Sequence, residues 1–186
     1  MKLETQLAKL AELGFVLNPG IMVDDLLHSF DRAAFEADPY NLLLFMFGGE
    51  AEREPWGRRI CSRVWSFDTE CIGGAGDYVQ IVQNLCQLTG DVEYLCDIQD
   101  HVDLEAGEAW LEYTVQGRRQ RWTVEVNDDW ADLMTLCYVM DDLERGGQRF
   151  FFMGSGQSLI LFYLGDQGAA RLSALSGQPL TLFTPD

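Results

Sequence analysis

Two carboxylates one residue apart, Asp68 and Glu70, close the string Ser66-Phe67-Asp68-Thr69-Glu70 at the end of an apolar run. Acids in this arrangement can hold magnesium ions for a displacement in which the metals stabilise the attacking and leaving oxygens. That chemistry needs two further acids and a general base. His101, followed by Val102-Asp103, is the candidate base, but the four-residue HxxxD spacing is missing. A second acidic group, Asp97, Asp100, Asp103, Glu105 and Glu108 with His101 among them, has oxygens enough for calcium. It lacks the EF-hand pattern of alternating carboxylates followed by Gly. With His28 and His101 the only histidines, no Ser-His-Asp or Cys-His arrangement can be argued, and acid–base schemes fall back on carboxylates. The five cysteines, Cys61, Cys71, Cys86, Cys96 and Cys137, show no CxxC spacing and no nearby histidine pair for zinc.

Three strings resemble enzyme motifs and depart from each. Asp68-Thr69-Glu70 resembles the first motif of DEDD-type exonucleases, without the later motifs that complete it. Tyr138-Val139-Met140-Asp141-Asp142 is similar to the YxDD signature of reverse transcriptases, but has two residues between Tyr and Asp and lies in a helical pattern. Asp141 and Asp142 are expected at the solvated end of that helix. Gly154-Ser155-Gly156-Gln157-Ser158 matches neither a phosphate loop nor a nucleophile elbow, and it precedes a strand, so it is expected to be a hairpin turn. No catalytic residue, metal site or cofactor is expected. The competing expectation is a metal-dependent hydrolase or nuclease using Asp68 and Glu70.

Charge narrows the partners. Thirty acidic against thirteen basic residues leave a net charge of −17, which repels nucleic acid and anionic membranes and favours encounter with a basic protein. The imbalance is local, with fifteen acidic and four basic residues between Asp91 and Arg145. Cys86, Cys96 and Cys137 sit in apolar runs as small core residues, which with the odd count implies reduced thiols and a cytoplasmic location. The N-terminus lacks a signal peptide's apolar core. The apolar run Leu42–Phe47 is too short to span a bilayer.

These residues must be positioned by elements that the pattern outlines. Leu3, Leu7, Leu10, Ala11 and Leu13 predict a helix ended by Gly14, and further helices are expected over Asp24–Phe30 and Tyr40–Phe47. Val64–Phe67 predicts a strand, Asp77 the cap of a helix reaching Gly90, and Val92–Ile98 a strand followed by an acidic loop, Asp97–Glu108. Ala109–Val126 predicts a hairpin about Gln116-Gly117, pairing Val115 with Arg118, Tyr113 with Gln120 and Leu111 with Trp122. This register buries Leu111, Tyr113, Val115, Trp122, Val124 and Val126 and sets Glu112 opposite Arg121. Asn127-Asp128-Asp129 is expected to start a helix whose apolar stripe is Trp130, Leu133, Met134, Cys137 and Met140. A second hairpin, Gln148–Met153 with Ser158–Leu164, a helix over Asp166–Leu175 and an edge strand over Pro179–Phe183 complete the chain.

The expected fold is α+β: N-terminal helices, then a mainly antiparallel sheet of two hairpins with packed helices. The expected organisation is one domain over 1–186, with 1–49 mostly helical and 91–186 β-rich and acidic. The segment Glu108–Leu164, centred on Trp122-Thr123-Val124-Glu125-Val126-Asn127-Asp128-Asp129-Trp130, resembles bacterial polymorphic-toxin immunity proteins. That resemblance implies tight one-to-one binding that blocks a cognate basic toxin, without catalysis. Asp100, Asp103, Glu105, Glu108, Trp110, Asp128 and Asp129 are the residues expected to form the binding face. A non-catalytic scaffold or adaptor is the third expectation.

Overall fold

The computed structural model describes residues 1–155 and 157–184. Four short helices come first: α1 (Leu3–Ala11), α2 (Val23–Ser29), α3 (Arg32–Ala37) and α4 (Asn41–Phe47). There follow β1 (Val64–Asp68), α5 (Asp77–Thr89), β2 (Leu95–Asp103), β3 (Glu108–Val115), β4 (Arg118–Val124), α6 (Leu133–Leu143), β5 (Gln148–Ser155), β6 (Ser158–Gly165), α7 (Asp166–Ser176) and β7 (Thr181–Leu182). The α+β class holds. Three of the helices lie among or after the strands, so the helices are not confined to the N-terminal part. No helix among the described residues is long and apolar enough to cross a membrane.

The N-terminal helices are tied together by one buried amide. Gln6 is fully buried, and its side-chain nitrogen donates to the carbonyls of Met1 and Phe35 while its oxygen accepts from the Tyr40 N–H. An amide buried without partners costs free energy, so satisfying it fixes α1 against α3 and the start of α4. The unforeseen α3 begins where Asp31 accepts from the Ala34 N–H at 2.8 Å, and its six residues bury only Phe35, too little to show as periodicity. α4 stops at Gly48, where a side chain would run into the Ser66 backbone; this lets the helix end press directly onto β1.

The two expected hairpins belong to different sheets. β5 and β6 form the middle of a four-stranded antiparallel sheet of order β1-β6-β5-β7, whereas β3 and β4 join β2 in a three-stranded sheet. The larger sheet is buried on both sides. Val64, Phe151, Met153, Phe162 and Leu164 face a core made with α1–α4 and α7. Trp65, Phe150, Leu161 and Tyr163 face a second core made with α5, α6 and the small sheet. Burial on both faces explains the unbroken apolar runs of these strands, because no position is left for a polar residue. Gly156, in the expected turn between β5 and β6, lies outside the described residues.

The β3–β4 register is the expected one, with Val115 opposite Arg118, Tyr113 opposite Gln120 and Leu111 opposite Trp122. Two neighbouring expectations are overturned. The segment from Asp97 to Asp103 is strand rather than loop; an irregularity between Cys96 and Gln99, with Asp97 at a φ of +53°, breaks the alternation that would have revealed it. The helix expected from Asn127 instead begins at Leu133, because Asp132 supplies the cap, accepting from the Met134 and Thr135 N–H groups at 3.0 and 3.2 Å. Its buried side is Leu136, Cys137, Val139, Met140 and Leu143, so Leu133 and Met134 are exposed and Trp130 is outside the helix.

Candidate functional site

The small sheet has one face against α5 and α6 and one face open. Leu111, Tyr113 and Val115 point inward, and Glu108, Trp110, Glu112 and Thr114 outward, as the period of two requires. On the open face the side chains interlock. The Arg121 guanidinium lies 3.9 Å from the Trp110 ring centre, and His101 stacks on the same indole at 6.0 Å. Glu112, only 5% exposed, is covered by Arg119 and Arg121, both of which donate to it. The Arg119 hydrogen bond, helped by Arg121, holds the Glu112 carboxyl below its usual range.

The expected binding residues divide by where the strand pleat sends them. Asp100 faces inward and is half-buried: its carboxylate accepts from the Gly76 N–H at 2.7 Å and the Val79 N–H at 3.2 Å, capping α5 from a neighbouring strand. Carboxylate at the positive end of a helix is stabilising, and this replaces the cap expected from Asp77. Asp77 is instead the first helical residue, and its carboxylate accepts from the Gly73 and Gly74 N–H groups. Asp103 accepts from the Ala106 N–H and so shapes the β2–β3 turn, yet remains exposed beside Glu105 and Glu108. Trp110 is half-buried beneath Arg121, next along the open face from Glu108. Asp128 is exposed at a φ of +55°, and half-buried Asp129 uses its carbonyl to accept from the Ile72 N–H.

Between the separate acidic segments, at this end of the small sheet, lies a shallow apolar depression so closely packed that it has no room for a water molecule. Its lining includes Ile72, Val102, Leu104, Val126, Asp128 and Trp130, with Tyr78 at its base. Tyr78 accepts from the Asp132 N–H at 2.8 Å, so it joins α5 to the start of α6 beneath the depression; burial pushes its hydroxyl up to about 12. Leu104 and Trp130 are each 37% exposed. Of the nearby acids, Glu125 and Asp128 belong to its lining; Glu105 follows Leu104 in the β2–β3 turn, and Asp103 and Glu108 pair across the strands on the open face. Among the described residues, ion pairs engage Glu4, Asp25, Glu36, Asp91, Glu112 and Glu144 and none of these five acids.

Asp68 and Glu70 adjoin this region without forming a metal cage. The Asp68 carboxylate accepts from the Glu70 N–H at 3.0 Å, and Glu70 pairs through its backbone with Trp130. No three His, Cys, Asp or Glu side chains among the described residues are placed to share a metal ion. Asp142, expected in solvent, instead accepts from the Tyr113 hydroxyl at 2.7 Å, and the Trp122 N–H donates to the same hydroxyl. Leu104 and Trp130 were absent from the expected face. Their signal was present: each is a large apolar residue set directly between or beside acids in a turn-rich segment. Comparison with known proteins finds no matching family, no similar curated protein and no similar solved structure.

Proposed function

We propose that the chain is a non-catalytic acidic binding protein that neutralises a basic protein by one-to-one docking, in the manner of an immunity protein. The observation that carries this reading is the exposure of Leu104 and Trp130 in one apolar patch with Glu125 and Asp128, acids that make no ion pair among the described residues. Apolar and aromatic anchors at the centre of an interface supply affinity, and a charged rim supplies encounter rate and choice of partner. Asp103, Glu105, Glu108, Glu125 and Asp128 are the rim; Asp100 acts beneath it, by holding α5. Trp110 extends the surface onto the open face of the small sheet.

The test is affinity capture from the lysate of the native host at low and high salt, then binding assays with the purified captured protein. A single basic protein is expected, bound in equal amount and released by salt. Trp130→Ala should raise the dissociation constant by about 10-fold or more, as loss of a buried aromatic anchor does. Reversing Asp128 and Glu108 to Lys should mainly slow association. A captured protein whose affinity ignores both sets of changes would remove the proposal.

A further inference from the structure

Away from the acidic depression, the segment Glu50–Arg59 holds a tryptophan out in water. Trp56 is 69% exposed, the highest value among the chain's large apolar side chains described here. The loop that carries it is nonetheless built. Its ends pair through Glu50 and Arg59, and the Ala51 N–H donates to the Arg58 carbonyl at 2.9 Å. The Arg58 side chain fills the arch, donating to the carbonyls of Arg53, Glu54 and Pro55, to the Gly20 carbonyl and to buried Asp25. An indole displayed on a fixed loop loses little freedom on docking, which is the condition under which an exposed aromatic becomes an anchor.

A receptor of matching chemistry lies on the same chain. Between α1 and α7 runs a groove of about 290 Å³ lined by Lys9, Glu12, Leu13, Arg171, Ala174 and Leu175. Its lining joins three apolar residues to two cations and one acid, in a protein of net charge −17. Lys9 and Arg171 make no ion pair among the described residues, and neither do Glu52 and Glu54 beside Trp56. The chain leaves the groove at Leu13 and reaches the loop's base at Asn18, whose amide donates to the Arg59 carbonyl at 3.0 Å. The loop base and the groove are therefore neighbours in the fold, and a two-fold contact needs each copy to offer both surfaces.

We propose that two copies of the chain associate by exchanging this loop, Trp56 of each entering the α1–α7 groove of the other. Glu52 and Glu54 then meet Lys9 and Arg171. This surface is separate from the acidic depression: Arg59 donates to Gln87 near the end of α5, whereas Asp100 caps its start. Each contact is small and the two copies repel overall, so the dimer is weak, with a dissociation constant on the order of 100 µM.

Sedimentation equilibrium of the full chain from about 10 µM to 1 mM tests this, a range chosen to bracket that affinity. Wild type is expected to pass from monomer toward dimer. Trp56→Ala, at an exposed position that leaves the fold and its melting curve intact, should weaken association about 10-fold or more. Arg171→Glu should weaken it by juxtaposing acids, and adding Glu54→Arg in the same chain should restore it within about 3-fold, since the charges are then exchanged rather than lost. A monomer at every concentration, or a dimer indifferent to Trp56→Ala, overturns the proposal.

Discussion

The two sheets of this protein are built from the same antiparallel pairing and are used in opposite ways. The larger one lies between two cores, and every residue of β6 from Leu159 to Leu164 packs into one or the other. The smaller one spends one face on α5 and α6 and leaves the other to His101, Trp110, Arg119, Arg121 and Thr123. A strand buried twice has no position to give to recognition. A strand buried once has every second residue available, and the loops that end it can collect charge without a desolvation cost. The candidate site accordingly sits at the end of the small sheet.

The largest expected effect breaks the larger sheet. Leu161 and Phe162 are both fully buried and point into different cores. Replacing either with Ala should cost about 3–5 kcal/mol in urea unfolding followed by circular dichroism. Because one sheet is shared by both cores, each substitution should lower the same single transition. Two transitions moved separately would show that the cores fold apart. Thr123→Ala on the open face of the small sheet should change stability by less than about 0.5 kcal/mol.

Next in size is Asp100→Ala, expected to cost about 1–2 kcal/mol by leaving the α5 amides without their acceptor. A smaller effect is set by pH. The Arg58 hydrogen bond and the Met22 N–H hold the Asp25 carboxyl below its ordinary range, and Arg119 and Arg121 do the same for Glu112. A depressed carboxyl contributes stability that is complete above its unfolded value, near 4, and is lost as pH falls through its lower folded value. Glu112→Gln should therefore be less stable than wild type at neutral pH, with the gap closing in acid. A gap that persists unchanged to low pH would assign the loss to packing instead.

How much of this was legible depended on whether a residue's partner was near in sequence. The β3–β4 hairpin was readable to the residue, because Leu111, Tyr113, Val115 and Trp122 alternate around a two-residue turn and Glu112 meets Arg121 across it. The acidity of the Asp97–Glu108 segment was equally plain. Its conformation was not: polar outward residues and the irregularity after Cys96 disguised β2 as a loop. Whether Asp100 faced solvent depended on a helix start 24 residues away, a relation no local pattern records. The same holds for β1 pairing with β6, which separated the hairpins into two sheets. Asn127-Asp128-Asp129 has the chemistry of a helix start, but the pairing of Trp130 with Glu70 and Asn127 took that stretch and left the cap to Asp132.

The smallest expected effect measures the field at the acidic end itself. Cys71 lies between Glu70 and Ile72, and although the residue is exposed, its thiol is pushed up to about 11. Burial is the larger cause, and the carboxylates of Asp68, Asp77 and Asp129 add to it by opposing a thiolate. At pH 8 only about a thousandth of the thiol is then ionised, so alkylation by iodoacetamide should be slow and should accelerate tenfold per pH unit toward 11. Asp129→Asn removes one of the opposing charges and should speed the reaction about 2–5-fold, the modest size following from the primacy of burial. Cys96, expected in the core with Cys86 and Cys137 but exposed on the far part of the small sheet, provides the internal reference that the substitution leaves alone. Peptide mapping by mass spectrometry reads both sites in one sample. An unchanged Cys71 rate would mean that solvent screens the Asp129 carboxylate from the thiol, so that acids at this end of the molecule act over short range as separate charges rather than as a common field.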